Sequence, residues 1–196
     1  MTNRFVTEEK ISELNENWKR SSLLISPDGT QLGFIYLHKK GEFRLKVNHK
    51  TTPSYEEIEQ FQFAPDSQSY ACAVKSTNGW QVIWKDEPGP VFNFIGSNTL
   101  VNSPDGQSIA YAALDGETWK IMVNHETAFA YENADILLLD FTPKDQKIAA
   151  ILETIDGVHL EVDGKAQDTF EKIEELVFNP ANDQSADDFF GRAGLD

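Results

Sequence analysis

The sequence is poor in the groups that carry most protein chemistry. Cys72 is the only cysteine among 196 residues, which excludes an internal disulfide framework and any zinc or iron–sulfur site built on several cysteines, and suits a reducing compartment. Cations are scarce as well. Seventeen Lys and Arg stand against thirty-two Asp and Glu, a net charge of -15 that repels phosphate backbones and anionic lipid. No apolar run approaches the roughly eighteen residues of a membrane span, and the opening MTNRFVTEEK carries charges where a signal peptide needs an apolar stretch. A soluble, cytoplasmic chain that binds neither nucleic acid nor membrane is the expectation. The usual signatures of catalysis are missing too: there is no G-x-S-x-G, no G-x-x-x-x-G-K-[ST] and no G-x-G-x-x-G. No catalytic residue, metal or cofactor is therefore assigned, and the chain does not read as an enzyme.

What the sequence does contain is a repeat. A proline-centred turn recurs as SPDG (26–29), APDS (64–67), SPDG (103–106), TPKD (142–145) and NPAN (179–182), with the prolines spaced by 38, 39, 39 and 37 residues. After each of the first four comes a period-two segment: Leu32/Phe34/Tyr36, Tyr70/Cys72/Val74, Ile109/Tyr111/Ala113 and Ile148/Ala150/Leu152. Alternation of that kind marks a strand with a buried face, and it makes Cys72 a small core residue. A turn with Gly41, Gly79, Gly116 or Gly157 leads to a second such segment, whose apolar members are Phe43/Leu45/Val47, Trp80/Val82/Trp84, Trp119/Ile121/Val123 and His159/Leu160/Val162. Eight residues beyond each segment lies an aromatic, Tyr55, Phe92, Tyr131 or Phe170, expected to be equivalent and buried. Three or four short strands per unit of about 38 residues are too few to cover both of their own faces. The expectation is an all-β, propeller-like array of four blades, with repeat units at 22–60, 61–99, 100–138 and 139–180.

The runs SPDGQSIAYAALDGETWKIMVNHE and IAAILETIDGVHLEVDGKAQDTFEKIEELVFNP resemble the WD-like β-propeller repeat of the Ser-Pro-Asp-Gly type, found in many bacterial proteins and in the propeller of the Tol-system periplasmic protein. The resemblance spans residues 22–180 and implies the fold, with Pro27 and Asp28 as turn-shaping residues. The fourth unit departs from it, with Lys144 and Asp145 in place of Asp-Gly.

The two ends differ from the repeats. Residues 1–21 read as a short amphipathic helix from Thr7 to about Arg20, capped by Thr7, with Ile11, Leu14 and Trp18 on one face that either covers a blade edge or meets a partner. Residues 181–196 form an acidic tail without strand pattern, in which Phe189 and Phe190 suit one helical turn. From Glu153 onward twelve acids face three bases, a net of -9, which would steer a basic partner to that end. The candidate partner-binding residues are Trp18, Asp187, Asp188, Phe189, Phe190 and Arg192. His49 and His125 occupy equivalent positions in Asn-His turns and read as turn residues; Trp80, Trp84 and Trp119 read as bulk between blades or as an aromatic ligand platform. The reading that follows is a non-catalytic protein-binding or scaffold propeller. Its alternatives are a small-molecule-binding or hydrolytic propeller with a site at the central channel, and one half of a larger assembled ring. A monomer sealed by its terminal helix is expected, with a homodimer through blade edges as the other outcome.

Overall fold

The computed structural model describes residues 10, 12–14, 17–170, 176–178 and 189–191. Four antiparallel sheets follow one another along the chain. Blade 1 holds β1 (Leu24–Ile25), β2 (Leu32–Lys39), β3 (Glu42–Val47) and β4 (Lys50–Thr51), and blade 2 holds β5 (Glu57–Phe63), β6 (Tyr70–Ser76), β7 (Gly79–Trp84) and β8 (Glu87–Pro88). In blade 3 the first strand is broken into β9 (Phe94–Ile95) and β10 (Val101–Asn102), followed by β11 (Ile109–Asp115), β12 (Thr118–Val123) and β13 (Glu126–Glu132). Blade 4 comprises β14 (Ala134–Phe141), β15 (Ile148–Thr154), β16 (Gly157–Val162) and β17 (Lys165–Phe170). Each sheet pairs in chain order, as a meander does. The fold is thus the all-β, four-bladed array that the repeat implied.

Blades stack because their faces are apolar on both sides. Three buried cores lie at the three seams. Leu45 and Val47 meet Ile58, Cys72, Val74 and Ile83 between blades 1 and 2; Ala71, Trp80 and Val82 meet Ile109, Tyr111 and Met122 between blades 2 and 3; Ala110 and Ile121 meet Ile136, Leu139 and Ile148 between blades 3 and 4. The third strands of blades 2 and 3 serve two cores at once, Met122 of β12 facing blade 2 and Ile121 facing blade 4. Trp80 and Val82 of β7 look toward blade 3, while Ile83 looks back toward blade 1.

The proline turns form a belt around one face of the array. Asp28, Asp66 and Asp105 each accept a backbone N–H two residues on, at 3.0, 2.9 and 2.9 Å, the Asx geometry that makes such turns tight. Glutamines then tie each turn to its neighbour. Gln107 donates to Asp66 at 2.8 Å, Gln146 donates to Asp105 at 2.9 Å, and Gln31 donates to the Ser67 carbonyl at 2.6 Å. In the fourth turn Asp145 takes the place of the missing aspartate and accepts the Thr142 hydroxyl.

The outer aromatics are equivalent, as expected. Tyr55 pairs with Phe43, Phe92 with Trp80, Tyr131 with Trp119 and Phe170 with Val158, each opposite the same position of the third strand. Phe92 is buried, and Tyr55 and Tyr131 are half-buried.

Where described, both end segments depart from their expected helices; Thr7 and Ile11 lie outside the described residues. Residues 12–14 carry no regular structure, and the chain from Asn17 to Lys19 runs extended along β2: Trp18 bridges Tyr36, Lys19 N–H donates to Ile35 O and Leu37 N–H to Asn17 O. Trp18 lies as far before Pro27 as Ile95 before Pro104 and Ala134 before Pro143, so it belongs to the innermost strand of blade 1. A ready-made strand edge offers this segment more hydrogen bonds and apolar contact than a short isolated helix would. The only helical turn among the described residues is the 3-10 turn Arg20–Ser22. Toward the other end, Phe189 and Phe190 are not in a helical turn. They lie in β19 (Phe189–Gly191), paired antiparallel with β18 (Leu176–Phe178), so the fifth unit has a second strand. No helix among the described residues is long and apolar enough to cross a membrane.

The belt gives the fold a dependence on pH. The Ser103 hydroxyl, the Gln107 amide and the Gln146 side chain hold the Asp105 carboxyl down to about 2; the Ser26 hydroxyl and the Thr30 amide lower Asp28, and the Lys147 ammonium, then the Thr142 hydroxyl, lower Asp145. A carboxyl whose pKa falls on folding stabilises the folded state above its unfolded value of about 3.9 and loses that contribution as the pH falls through the folded value. The urea midpoint is therefore expected to fall between about pH 4 and pH 2, and Asp105→Asn to flatten that fall; an unchanged profile in the variant would contradict the belt's role.

Candidate functional site

The outer half of each seam is built from the same two parts: the outer strand of one blade and the tight turn between the last two strands of the next. Those turns are Asn48-His49, Lys85-Asp86, Asn124-His125 and Asp163-Gly164. Their first residues all sit at φ of 50 to 53°, the left-handed geometry that a two-residue hairpin needs. Asn48, Asn124 and Asp163 also accept the N–H that opens their blade's second strand, at 2.8, 3.0 and 3.1 Å. The two histidines are turn residues, as their place in the repeat suggested. In blades 2 to 4 the second turn residue, Asp86, His125 or Gly164, faces the seam with the preceding blade.

Two seams are filled there. Between blades 3 and 4, Phe129 lies on Gly164, where an added Cβ would meet the ring at 2.6 Å, and Tyr131 donates its hydroxyl to Glu161 at 2.7 Å. Between blades 2 and 3, His125 packs against Gly89, with its Nδ1 3.0 Å from the Tyr111 hydroxyl and its ring 6.1 Å from that of Trp84. Burial holds the His125 imidazole below its ordinary pKa, favouring the neutral ring.

The seam between blades 1 and 2 is open. Pro53 stands where blade 3 has Phe129, and β4 and β8 each pair over only two residues. The result is a cleft of about 590 Å³ whose floor is Leu45, Val47 and Ile83 and whose sides include Tyr55, Tyr70 and Gln81. Its lip is one ion pair: Lys50 Nζ lies 3.4 Å from Asp86 Oδ2, with side chains 83% and 57% exposed. An exposed pair of this kind contributes about 0–1 kcal/mol. The other Asp86 oxygen is held firmly, accepting the Tyr70 hydroxyl at 2.8 Å. Burial first, and then that hydrogen bond, push the Tyr70 phenol up, so it stays a donor. A second hollow toward the turn face, lined by Gln31, His49 and Gln68, shares Lys50, Tyr70 and Asp86. On it lies Ser69, whose Oγ is buried without a hydrogen-bond partner among the described residues.

Cys72 belongs to the core below the floor, is fully buried, and has its thiol pushed up to about 12 by that burial, so little of it is thiolate at neutral pH. Among the described residues no group of three or more His, Cys, Asp or Glu is placed to hold a metal ion. At the array's inner strands a groove of about 450 Å³ is lined by Lys19, Ser21, Gln60, Ser97 and Asn98, but its Gln60 amide is already committed to Gly96 O at 3.0 Å and Leu100 N at 3.1 Å.

The sequence-derived candidates lie elsewhere. Trp18 packs edge-on against Phe34 with ring centroids 6.4 Å apart. Phe189 and Phe190 are in β19, and Asp187, Asp188 and Arg192 fall outside the described residues. Trp80 and Trp84 face the seam between blades 2 and 3 and Trp119 the next one, as bulk between blades. Lys50, Tyr70 and Asp86 were not among the sequence candidates. The signal that finds their cleft is the pair Pro53 and Asp86, where the filled seams have Pro90 with His125 and Phe129 with Gly164.

The filled seams make a testable contrast. Gly89→Ala would drive a methyl into the His125 ring and is expected to cost about 1–3 kcal/mol by overpacking, read as a lower urea midpoint. A variant as stable as the parent would contradict a close-packed second seam.

No family model matches the chain, and no curated protein matches it. Among solved structures it is similar to the β-propeller domain of Myceliophteria thermophila Cps50 (Swd1), at 13% identity and a TM-score of 0.42, covering 79% of this chain and 55% of that one. It is also similar to the Dos1 propeller, at 8% identity and a TM-score of 0.43, covering 72% of this chain and 43% of that one. The chain therefore spans about half the length of these propellers.

Proposed function

We propose that this protein is a cytoplasmic, non-catalytic protein-binding module, built from WD-like repeats of the Ser-Pro-Asp-Gly type, whose open seam receives an apolar segment of another protein. One observation carries the reading: three seams share one design, two are closed by Phe129 and His125, and the third leaves Leu45, Val47 and Ile83 beneath a cleft. A mostly apolar hollow with a few fixed polar groups is the usual form of a binding site. The inert Cys72 thiol and the protonated Tyr70 phenol suit recognition better than covalent chemistry.

The test places a photo-crosslinking residue at Gln81, on the cleft wall, and captures partners in the native host. A single protein should cross-link at position 81 and be lost when Thr52→Trp fills the cleft. A stoichiometric partner that cross-links only from positions 189–191, and is indifferent to Thr52→Trp, would overturn the assignment and move the interface to the C-terminal segment.

A further inference from the structure

We infer that the open seam selects a cationic side chain, an arginine or lysine two residues from an apolar one, which replaces Lys50 at Asp86. The inference rests on reading the cleft as a binding site and says what chemistry it recognises. Asp86 is the cleft's one fixed charge. Its Oδ1 is anchored by the Tyr70 hydroxyl at 2.8 Å, which sets the plane of the carboxylate and leaves Oδ2 for an external partner. The present occupant of Oδ2 is a weak competitor: Lys50 sits 3.4 Å away, is 83% exposed, and projects from a strand paired over two residues.

The neighbouring cation is otherwise engaged. Lys85 stacks over the Trp84 ring at 4.2 Å and donates to Gln107 O at 3.3 Å, so it does not neutralise Asp86. In a chain of net charge -15, long-range attraction adds to the local preference for a cation. An anion would meet Asp86 unfavourably, and a neutral group would leave the Lys50 pair in place. Arginine fits best, because a guanidinium donates through two parallel N–H groups where a lysine offers a point charge. In an extended segment residues i and i+2 share a face about 6.6 Å apart, so the apolar residue that reaches the Leu45–Val47–Ile83 floor lies two positions from the cation.

The test titrates the isotopically labelled full chain with the peptide Ac-Gly-Leu-Gly-Arg-Gly-NH₂ and follows backbone NMR shifts. The controls carry citrulline, a neutral isostere, or glutamate in place of arginine. Shifts are expected at Thr51, Gln81 and Asp86, with citrulline binding about tenfold more weakly, the loss expected for one charge-assisted hydrogen bond. Lys50→Ala should tighten the arginine peptide by removing its competitor. Asp86→Asn keeps an acceptor for Tyr70 and should erase the difference between arginine and citrulline. Equal binding of the arginine and citrulline peptides at those three positions would overturn the cation inference and leave the cleft standing. An absence of shifts at Thr51, Gln81 and Asp86 with every peptide would overturn both.

Discussion

A four-stranded blade has two apolar faces, and neither can be left in water. Everything in this array answers that constraint. The third strands of blades 2 and 3 alternate residues toward the blade before and the blade after, and each seam is a core shared by two sheets. Stability is then carried between neighbours, as in repeat arrays generally. The turns reinforce the same contacts at the rim, where glutamines of one blade bond the aspartates of the previous one.

Because the repeats impose equivalent geometry, departures from equivalence carry information. Pro53, Pro90 and Phe129 occupy one place in three successive outer strands, and Asp86, His125 and Gly164 one place in three successive turns. Ring against glycine closes one seam and imidazole against glycine another. Proline against aspartate closes nothing. At that seam the lip is crossed by an exposed lysine–aspartate pair, which water screens and a competing cation can exchange.

Most of the fold was legible in the sequence, because a repeated period-two pattern fixes strands, faces and the equivalence of Tyr55, Phe92, Tyr131 and Phe170 together. The segment before Pro27 was misread for a physical reason. Thr7, Glu8, Glu9 and the Ile11–Leu14–Trp18 spacing are local helix signals, whereas Trp18 forms strand bonds to β2, a partner distant in sequence. Phe189 and Phe190 were misread likewise, since their pairing with β18 is equally non-local. The cleft was present in the sequence only as a difference between copies. Reading each unit for its likeness to the others located the cores, and reading Pro53 with Asp86 against Pro90 with His125 and Phe129 with Gly164 locates the gap.

The central claim is that one seam admits solvent where its equivalents do not, and thiol accessibility tests it directly. Ile83 and Met122 hold the same place in β7 and β12, each looking back toward the preceding blade. In a Cys72→Ala background, Ile83→Cys should react with a small methanethiosulfonate reagent in the folded protein, while Met122→Cys should react only at the rate of unfolding. Equal rates at the two positions would mean that the first seam is as closed as the second.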